Sequence, residues 1–224
     1  MSTQWRLFLT ALRFCMQLPA AALGGAEPEF PGAAVRYLSA AGAVVGAAAG
    51  VVYWLGMQFW PSSIAVVLSM IATAAMARRR SGDASGLPAF VFGVLLKYNS
   101  LMALSAASLP FAVPANTALG VIMICGHAAG YALIAPLIPS PAETSSAPPS
   151  TADVALALGL GIAPAALLGI PGLIGVAAAI MARVGFGAWL ERSGSPVAGR
   201  DLYAAQLLSE VCFYLGALAS WAYA

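Results

Sequence analysis

The 224-residue chain has the composition of a membrane protein. Hydrophobic residues make up 61% of it, charged residues only 8%, and its mean hydropathy is +0.89. Soluble domains carry about 25% charged residues, so a water-soluble globular domain is excluded. The net charge of +2 is too small to indicate a nucleic-acid partner, and we expect none. The cysteines Cys15, Cys125 and Cys212 lie far apart in apolar stretches, which predicts packing roles and no disulfide framework.

The N-terminal residues 1–20 predict an amphipathic helix in the membrane interface. Apolar positions, among them Trp5, Phe8 and Leu12, fall on one helical face, while Arg6 and Arg13 interrupt the stretch. A cleaved signal peptide is the alternative, but no small-residue cleavage site follows a clean apolar core.

The rest of the chain contains about seven apolar stretches of roughly membrane-spanning length. They predict spans at 37–60, 62–77, 87–107, 117–138, 153–170, 172–190 and 202–223. The separators are a turn at Pro61, a polar loop at 78–86, a two-proline segment at 109–116, a flexible linker at 139–152, and Pro171 with Gly172. The last pair could instead interrupt one broken or re-entrant element.

The predicted fold is therefore all-α, a polytopic membrane bundle of about six or seven transmembrane helices with an N-terminal interfacial helix. We expect a single integral-membrane domain over 1–224, in which 37–138 and 153–224 are two groups of spans joined by the linker at 139–152. Alternation of the spans puts most of the arginines on one side: Arg6, Arg13, Arg36, Arg78, Arg79, Arg80, Arg192 and Arg200. The positive-inside rule makes that side, and the N-terminus, cytoplasmic.

Glycines repeat at four-residue spacing in two spans. Gly42, Gly46 and Gly50 share one helix face, and so do Gly126 and Gly130. Such faces let helix backbones approach closely in lipid. They predict tight packing within the bundle, with self-association of the chain as an alternative.

Four ionisable residues fall inside predicted spans: Lys97, His127, Arg183 and Glu210. Each costs about 3 kcal/mol or more at mid-membrane unless it is paired or wet. Lys97, Arg183 and Glu210 lie at similar depths of roughly 15 Å from the cytoplasmic side, and His127 is near mid-span, so the four share one layer. We predict a polar cluster in which Glu210 neutralises Lys97 or Arg183, and a purely structural ion pair is the alternative. The isolated His127 is more typical of a hydrogen-bonded core histidine than of a metal ligand.

The cytoplasmic loops contain residues suited to binding phosphate and magnesium. Arg78, Arg79, Arg80 and Arg200 could bind phosphate oxygens. Asp83, Glu191 and Asp201 could bind Mg²⁺. Ordinary positive-inside anchoring is the alternative for the arginine triplet.

Several stretches together resemble the cobalamin synthase family, also called adenosylcobinamide-GDP ribazoletransferase. They cover most of the chain in the family's order: FLTALRFCMQLP at 8–19, VRYLSAAGAVVGAAAGVVYWLG at 35–56, FGVLLKYNSLMAL at 92–104, GHAAGYALIA at 126–135 and AGRDLYAAQLLSEV at 198–211. The resemblance matches family positions at Lys97, His127, Gly199 and Glu210, and of these it implies catalytic roles for Lys97, His127 and Glu210.

The resemblance implies a multi-pass enzyme of the bacterial inner membrane that uses Mg²⁺. Such an enzyme joins adenosylcobinamide-GDP to α-ribazole, or to its phosphate, and releases GMP. Other membrane proteins of the cobalamin pathway are possible partners.

The sequence departs from the family pattern at three places. An acidic, metal-binding segment expected between the second and third spans is missing, and Asp83 alone is left there. Tyr131 replaces the arginine of the histidine helix, and Arg200 replaces an aspartate, with Asp201 one position later. Three hypotheses follow: a working transferase, a non-catalytic paralogue that binds a corrinoid or partners an active synthase, and a small-solute transporter.

Overall fold

The computed structural model describes residues 3–16, 31–77, 87–107, 115–138, 148–194 and 197–221. The predicted loop at 78–86, with Arg78, Arg79, Arg80 and Asp83, lies outside these residues, as does most of the predicted linker. The described helices are α1 (Thr3–Cys15), α2 (Leu38–Gly56), α3 (Ser62–Met76), α4 (Leu87–Ala106), α5 (Ala115–Leu133), α6 (Thr151–Ile162), α7 (Ile170–Ser193) and α8 (Gly199–Trp221). A 3₁₀ segment, Gly32–Tyr37, leads into α2, and another, Ala163–Leu168, extends α6.

The described helices confirm the predicted all-α membrane bundle. Five of them, counted with their 3₁₀ extensions, are long and apolar enough to cross a membrane: Gly32–Gly56, Thr117–Leu137, Thr151–Leu168, Ile170–Ser193 and Gly199–Trp221. Two shorter apolar helices, Ser62–Met76 and Phe90–Ala106, occupy the remaining predicted spans.

The two ends of the bundle differ in their side chains. Arg36 precedes α2, Arg192 ends α7 and Arg200 begins α8, so one end is rich in arginine. At the other end, Trp54, Phe59 and Trp60 are exposed around the turn between α2 and α3. The rise from Arg36 to Trp54 is about 27 Å at helical geometry, which is close to the thickness of a bilayer's hydrocarbon core. This distance places the three aromatic side chains at the level of the lipid headgroups, where aromatic residues are typical.

The first glycine stripe packs α2 directly against α5. A Cβ atom added to Gly42 would lie 2.7 Å from the carbonyl oxygen of His127, and one added to Gly46 would lie 2.7 Å from the Cα of Ile124. Gly50 faces Gly120 in the same way. The stripe therefore serves packing inside the bundle, as predicted.

The second glycine pair brings α5 against α8. A Cβ atom on Gly126 would lie 2.5 Å from the ring of Tyr214, and one on Gly130 would lie 3.2 Å from the carbonyl oxygen of Gln206. Because α5 packs closely against both α2 and α8, its middle is buried. This packing brings His127 close to Glu210.

The start of α6 shows that part of the predicted linker is ordered. Ser150 caps the helix through a reciprocal hydrogen-bonded capping box with Asp153, so Thr151 and Ala152 are helical and the predicted linker ends too late. Asp153 also forms an ion pair with Arg36 at 2.9 Å (Nε to Oδ1). The pattern Ser-Thr-Ala-Asp before an apolar run is the sequence signal for this cap.

The break between α6 and α7 lies a few residues earlier than predicted. It falls at Gly169, whose φ of +66° belongs to the left-handed region that favours glycine. Pro171 lies within the first turn of α7. Backbone N–H groups in a first turn have no acceptor within the helix, so proline, which lacks an N–H, is tolerated there. Proline thus begins this helix and does not separate the two spans.

Helix α1 packs at the arginine-rich end of the bundle. Ala11 and Cys15 are buried, and the Tyr37 hydroxyl donates to Oε1 of Gln4 at 2.7 Å. Met16, just after α1, forms an isolated antiparallel bridge with Ala77, just after α3. These contacts hold α1 across the ends of α2 and α3, as expected of an interfacial helix.

Candidate polar cluster and cavity

A buried ion pair joins α4 and α8. Nζ of Lys97 lies 2.7 Å from Oε1 of Glu210, and the two residues are 7% and 1% exposed. Both lie about 15 Å along their helices from the arginine-rich end. Of the two cations predicted to neutralise Glu210, Lys97 is the one that pairs with it in the structure. Arg183 instead donates from Nε to the carbonyl oxygen of Leu133 at 3.3 Å, near the end of α5.

The Glu210 carboxylate accepts further hydrogen bonds on both oxygens. The Tyr214 hydroxyl donates to Oε1 at 2.8 Å, and Nε2 of Gln206 donates to Oε2 at 2.9 Å. Nδ1 of His127 lies 3.3 Å from Oε1. A carboxylate offers about four acceptor positions, so this one is close to saturated. The geometry suits a fixed anionic anchor better than a free proton acceptor.

Nδ1 of His127 has a backbone partner. It lies 2.9 Å from the carbonyl oxygen of Met123, one turn earlier. Because a carbonyl can only accept, we assign the proton of the neutral ring to Nδ1, which leaves the lone pair on Nε2. The residue also lines a cavity, so its ring is within reach of a ligand in that space.

Tyr214 and Gln206 are members of the cluster that we did not predict. Each lies one helical turn from Glu210 on α8, and the hydrogen bonds to the carboxylate span four residues. Side chains at that spacing share a helix face. The sequence signal that could have identified Gln206 and Tyr214 is therefore their spacing, four positions before and four positions after a buried glutamate.

A cavity of about 540 Å³ lies beside this cluster, bounded by α2, α3, α4, α5 and α8. Lys97, His127, Gln206 and Glu210 form its polar wall. The other lining side chains are mostly apolar, among them Val67, Ile71 and Leu95. The lining reaches Ala77 at the end of α3, directly before the arginine triplet in sequence.

The predicted metal and phosphate residues that the structure describes lie outside this cavity. Oδ2 of Asp201 accepts from the backbone N–H of Ala198 at 2.8 Å, which caps the start of α8. Nε of Arg200 lies 3.7 Å from Oδ1 of Asp201, and the Arg200 side chain is largely exposed. Glu191 is exposed in the last turn of α7.

Within the described ranges, no three His, Cys, Asp or Glu side chains come together to hold a metal ion. The described residues therefore do not fit a magnesium site by themselves. Asp83, the remaining predicted ligand, lies outside the described residues.

The fold and the buried cluster define a multi-pass α-helical membrane protein with an intramembrane polar site. Comparison with known proteins adds a family resemblance over part of the chain. Residues 7–79 match the family model described as cobalamin-5-phosphate synthase. A curated adenosylcobinamide-GDP ribazoletransferase from Leptothrix cholodnii is 47% identical over 68 residues, which is 30% of this chain and 26% of that protein. No solved structure matches the chain.

These matches confirm the predicted resemblance to the cobalamin synthase family over the N-terminal third of the chain. The family match ends at residue 79, next to the position where the expected acidic segment is missing. The chain spans about a quarter of the length of the curated relative that it matches.

Proposed function

We propose that this protein takes part in the late assembly of cobalamin, joining α-ribazole or its phosphate to adenosylcobinamide-GDP and releasing GMP. The observation that supports this most is the cavity, which combines apolar walls with a buried polar face at Lys97, His127 and Glu210. We further propose that the membrane is the bacterial inner membrane and that the arginine-rich end is cytoplasmic.

The size of the cavity favours the smaller of the two substrates. Ligand pockets typically measure about 300–1,000 Å³, and 540 Å³ is enough for a nucleoside. A complete corrinoid nucleotide is too large for it. In our proposal the aromatic base of α-ribazole packs on the apolar walls, and the corrinoid ring stays outside, at the arginine-rich end near Ala77, while its diphosphate extends into the cavity toward His127.

The polar wall suggests a role for each side chain. A ribazole hydroxyl oxygen forms a bond to the phosphorus on the cobinamide side, the bond from that phosphorus to the bridging oxygen breaks, and GMP leaves with this oxygen. Nε2 of His127 is suited to accept the hydroxyl proton, because Nδ1 already carries one. The Lys97–Glu210 pair fixes the imidazole and the cavity wall. The arginines at 78–80 would hold the phosphates.

The test is GMP release by the purified protein in liposomes, supplied with adenosylcobinamide-GDP and α-ribazole, with and without Mg²⁺. We expect release by the natural chain and a loss of about 100-fold or more in His127→Gln, the usual contribution of a general base. Leu96→Met is the control, because Leu96 is exposed and does not line the cavity, and the position stays apolar in this variant. Unchanged release in a folded His127→Gln protein would refute the role of His127.

A second candidate is a non-catalytic paralogue that binds the nucleoside or partners an active synthase. It is favoured by the missing acidic segment, because a pyrophosphate reaction without a carboxylate cluster lacks its usual metal. This candidate predicts that α-ribazole binds the natural chain while no GMP is released at any Mg²⁺ concentration. Under that outcome the transferase proposal fails and the binding role stands.

A further inference from the structure

Several apolar residues that line the cavity are also highly exposed, so the cavity is open where they lie. Val67 and Ile71 on α3 are 41% and 58% exposed, and Phe90 and Leu95 on α4 are 40% and 51% exposed. These residues lie on apolar helices of the membrane layer, so the medium outside them is lipid. Among the described residues, the cavity is therefore continuous with the lipid-facing surface between α3 and α4.

The polar groups lie at the opposite, inner wall. Lys97 and Glu210 are both nearly fully buried, and their 2.7 Å ion pair has no net charge. An ionic ligand arriving from lipid would lose its hydration without meeting a compensating charge from this pair. A neutral molecule loses much less hydration free energy, and its apolar part gains contact with the cavity walls.

We infer that the gap between α3 and α4 is a lateral opening through which a small uncharged amphiphile reaches the cavity from the bilayer. The ligand class is an uncharged molecule with an apolar body and one or more hydroxyl or amide groups. The apolar body packs among Val67, Ile71 and Leu95, and a polar group hydrogen-bonds at the His127–Glu210 wall. This inference rests on the proposed function only in taking this cavity as the ligand site.

The test uses a phosphatidylcholine that carries benzophenone at the end of one acyl chain, because this probe cannot reach the cavity through water. The full chain is reconstituted with it, irradiated, and mapped by mass spectrometry. We expect adducts on inner lining residues, such as Tyr98 and Leu207, as well as on the outer surface. We also expect excess 4-(hydroxymethyl)benzophenone, a neutral aromatic alcohol, to reduce the inner adducts at least fivefold.

Two matched pairs of variants separate the opening from the general lipid surface. Ile71→Trp and Leu95→Trp narrow the opening, whereas Ile64→Trp and Leu96→Trp place the same side chain on exposed positions of the same helices that do not line the cavity. The inner adducts should fall at least fivefold in the first pair and by less than twofold in the second.

Each outcome decides one part of the inference. Adducts restricted to the outer surface would refute the lateral opening, even if GMP release is normal. Inner adducts that the aromatic alcohol does not reduce would show that the cavity holds lipid chains, which would refute the ligand class. Inner adducts in a protein that releases no GMP would keep the inference and refute the transferase proposal.

Discussion

Removing the charge of Glu210 is expected to destabilise the whole bundle. In Glu210→Gln, the Lys97 ammonium loses the anion 2.7 Å away while it remains buried. At that distance and an effective dielectric constant of 20, the attraction is about 6 kcal/mol. Desolvation offsets part of it, so the expected loss in the free energy of unfolding is about 3–5 kcal/mol, as for other buried pairs that lose one partner.

A second substitution tests whether the loss comes from the unpaired charge. Adding Lys97→Met to Glu210→Gln removes the buried ammonium and leaves a neutral wall. The double variant should therefore recover most of the lost stability and lie within about 2 kcal/mol of the natural chain. The two substitutions would then be strongly non-additive, as expected for side chains in direct contact.

The buried cysteines provide the assay. Cys15 and Cys125 are 3% and 2% exposed, so a thiol-reactive dye labels them only when the bundle opens. Thermal labelling in detergent should show a midpoint about 10 °C lower for Glu210→Gln and most of that shift reversed in the double variant. A double variant as unstable as the sum of the two single variants would refute the reasoning.

Three further predictions concern the packing and hydrogen bonds around the cluster, each measured in the same labelling assay. Gly126→Ala should cost about 1–3 kcal/mol, because its Cβ would lie 2.5 Å from the Tyr214 ring. Gly185→Ala is its control, since its Cβ would meet nothing within 4 Å, and equal stability of the two variants would contradict the packing. Tyr214→Phe should cost about 1–2 kcal/mol through loss of the hydroxyl bond to Glu210, and an unchanged midpoint would rule that bond out as a stabilising contact. Asp153→Ala should cost about 1–2 kcal/mol, because it removes the carboxylate half of the α6 capping box and the ion pair with Arg36. Asp153→Asn should keep part of the cap, and a stability equal to that of Asp153→Ala would contradict a contribution from the cap.

The spans and the glycine faces were predictable from the sequence because lipid imposes simple rules. Long apolar stretches must be helical, and small residues at four-residue spacing bring helices together. The pattern therefore indicated the close approach that the structure shows at Gly46 and Gly126. The precise helix ends were less accessible, because they depend on local caps such as Ser150 and on the positive φ of Gly169.

The composition of the site was predictable only in part. Lys97, His127 and Glu210 were identifiable as costly residues at one depth. Which cation pairs with Glu210 depends on the rotation of α4 and α7 about their axes, and one sequence does not determine that rotation. The cavity was not predictable at all, since it is the space that five helices leave unfilled. The loop candidates Arg78, Arg79, Arg80 and Asp83 remain predictions.

The most direct test of the account is whether α-ribazole binds in this cavity. Equilibrium dialysis with liposomes would measure α-ribazole binding to the natural chain and to two variants. Ala74→Trp places an indole ring on the cavity wall, whereas the neighbouring Ala75→Trp places it outside the cavity. We predict that Ala74→Trp weakens binding at least tenfold while Ala75→Trp changes it by less than twofold. Equal binding by the two folded variants would contradict it.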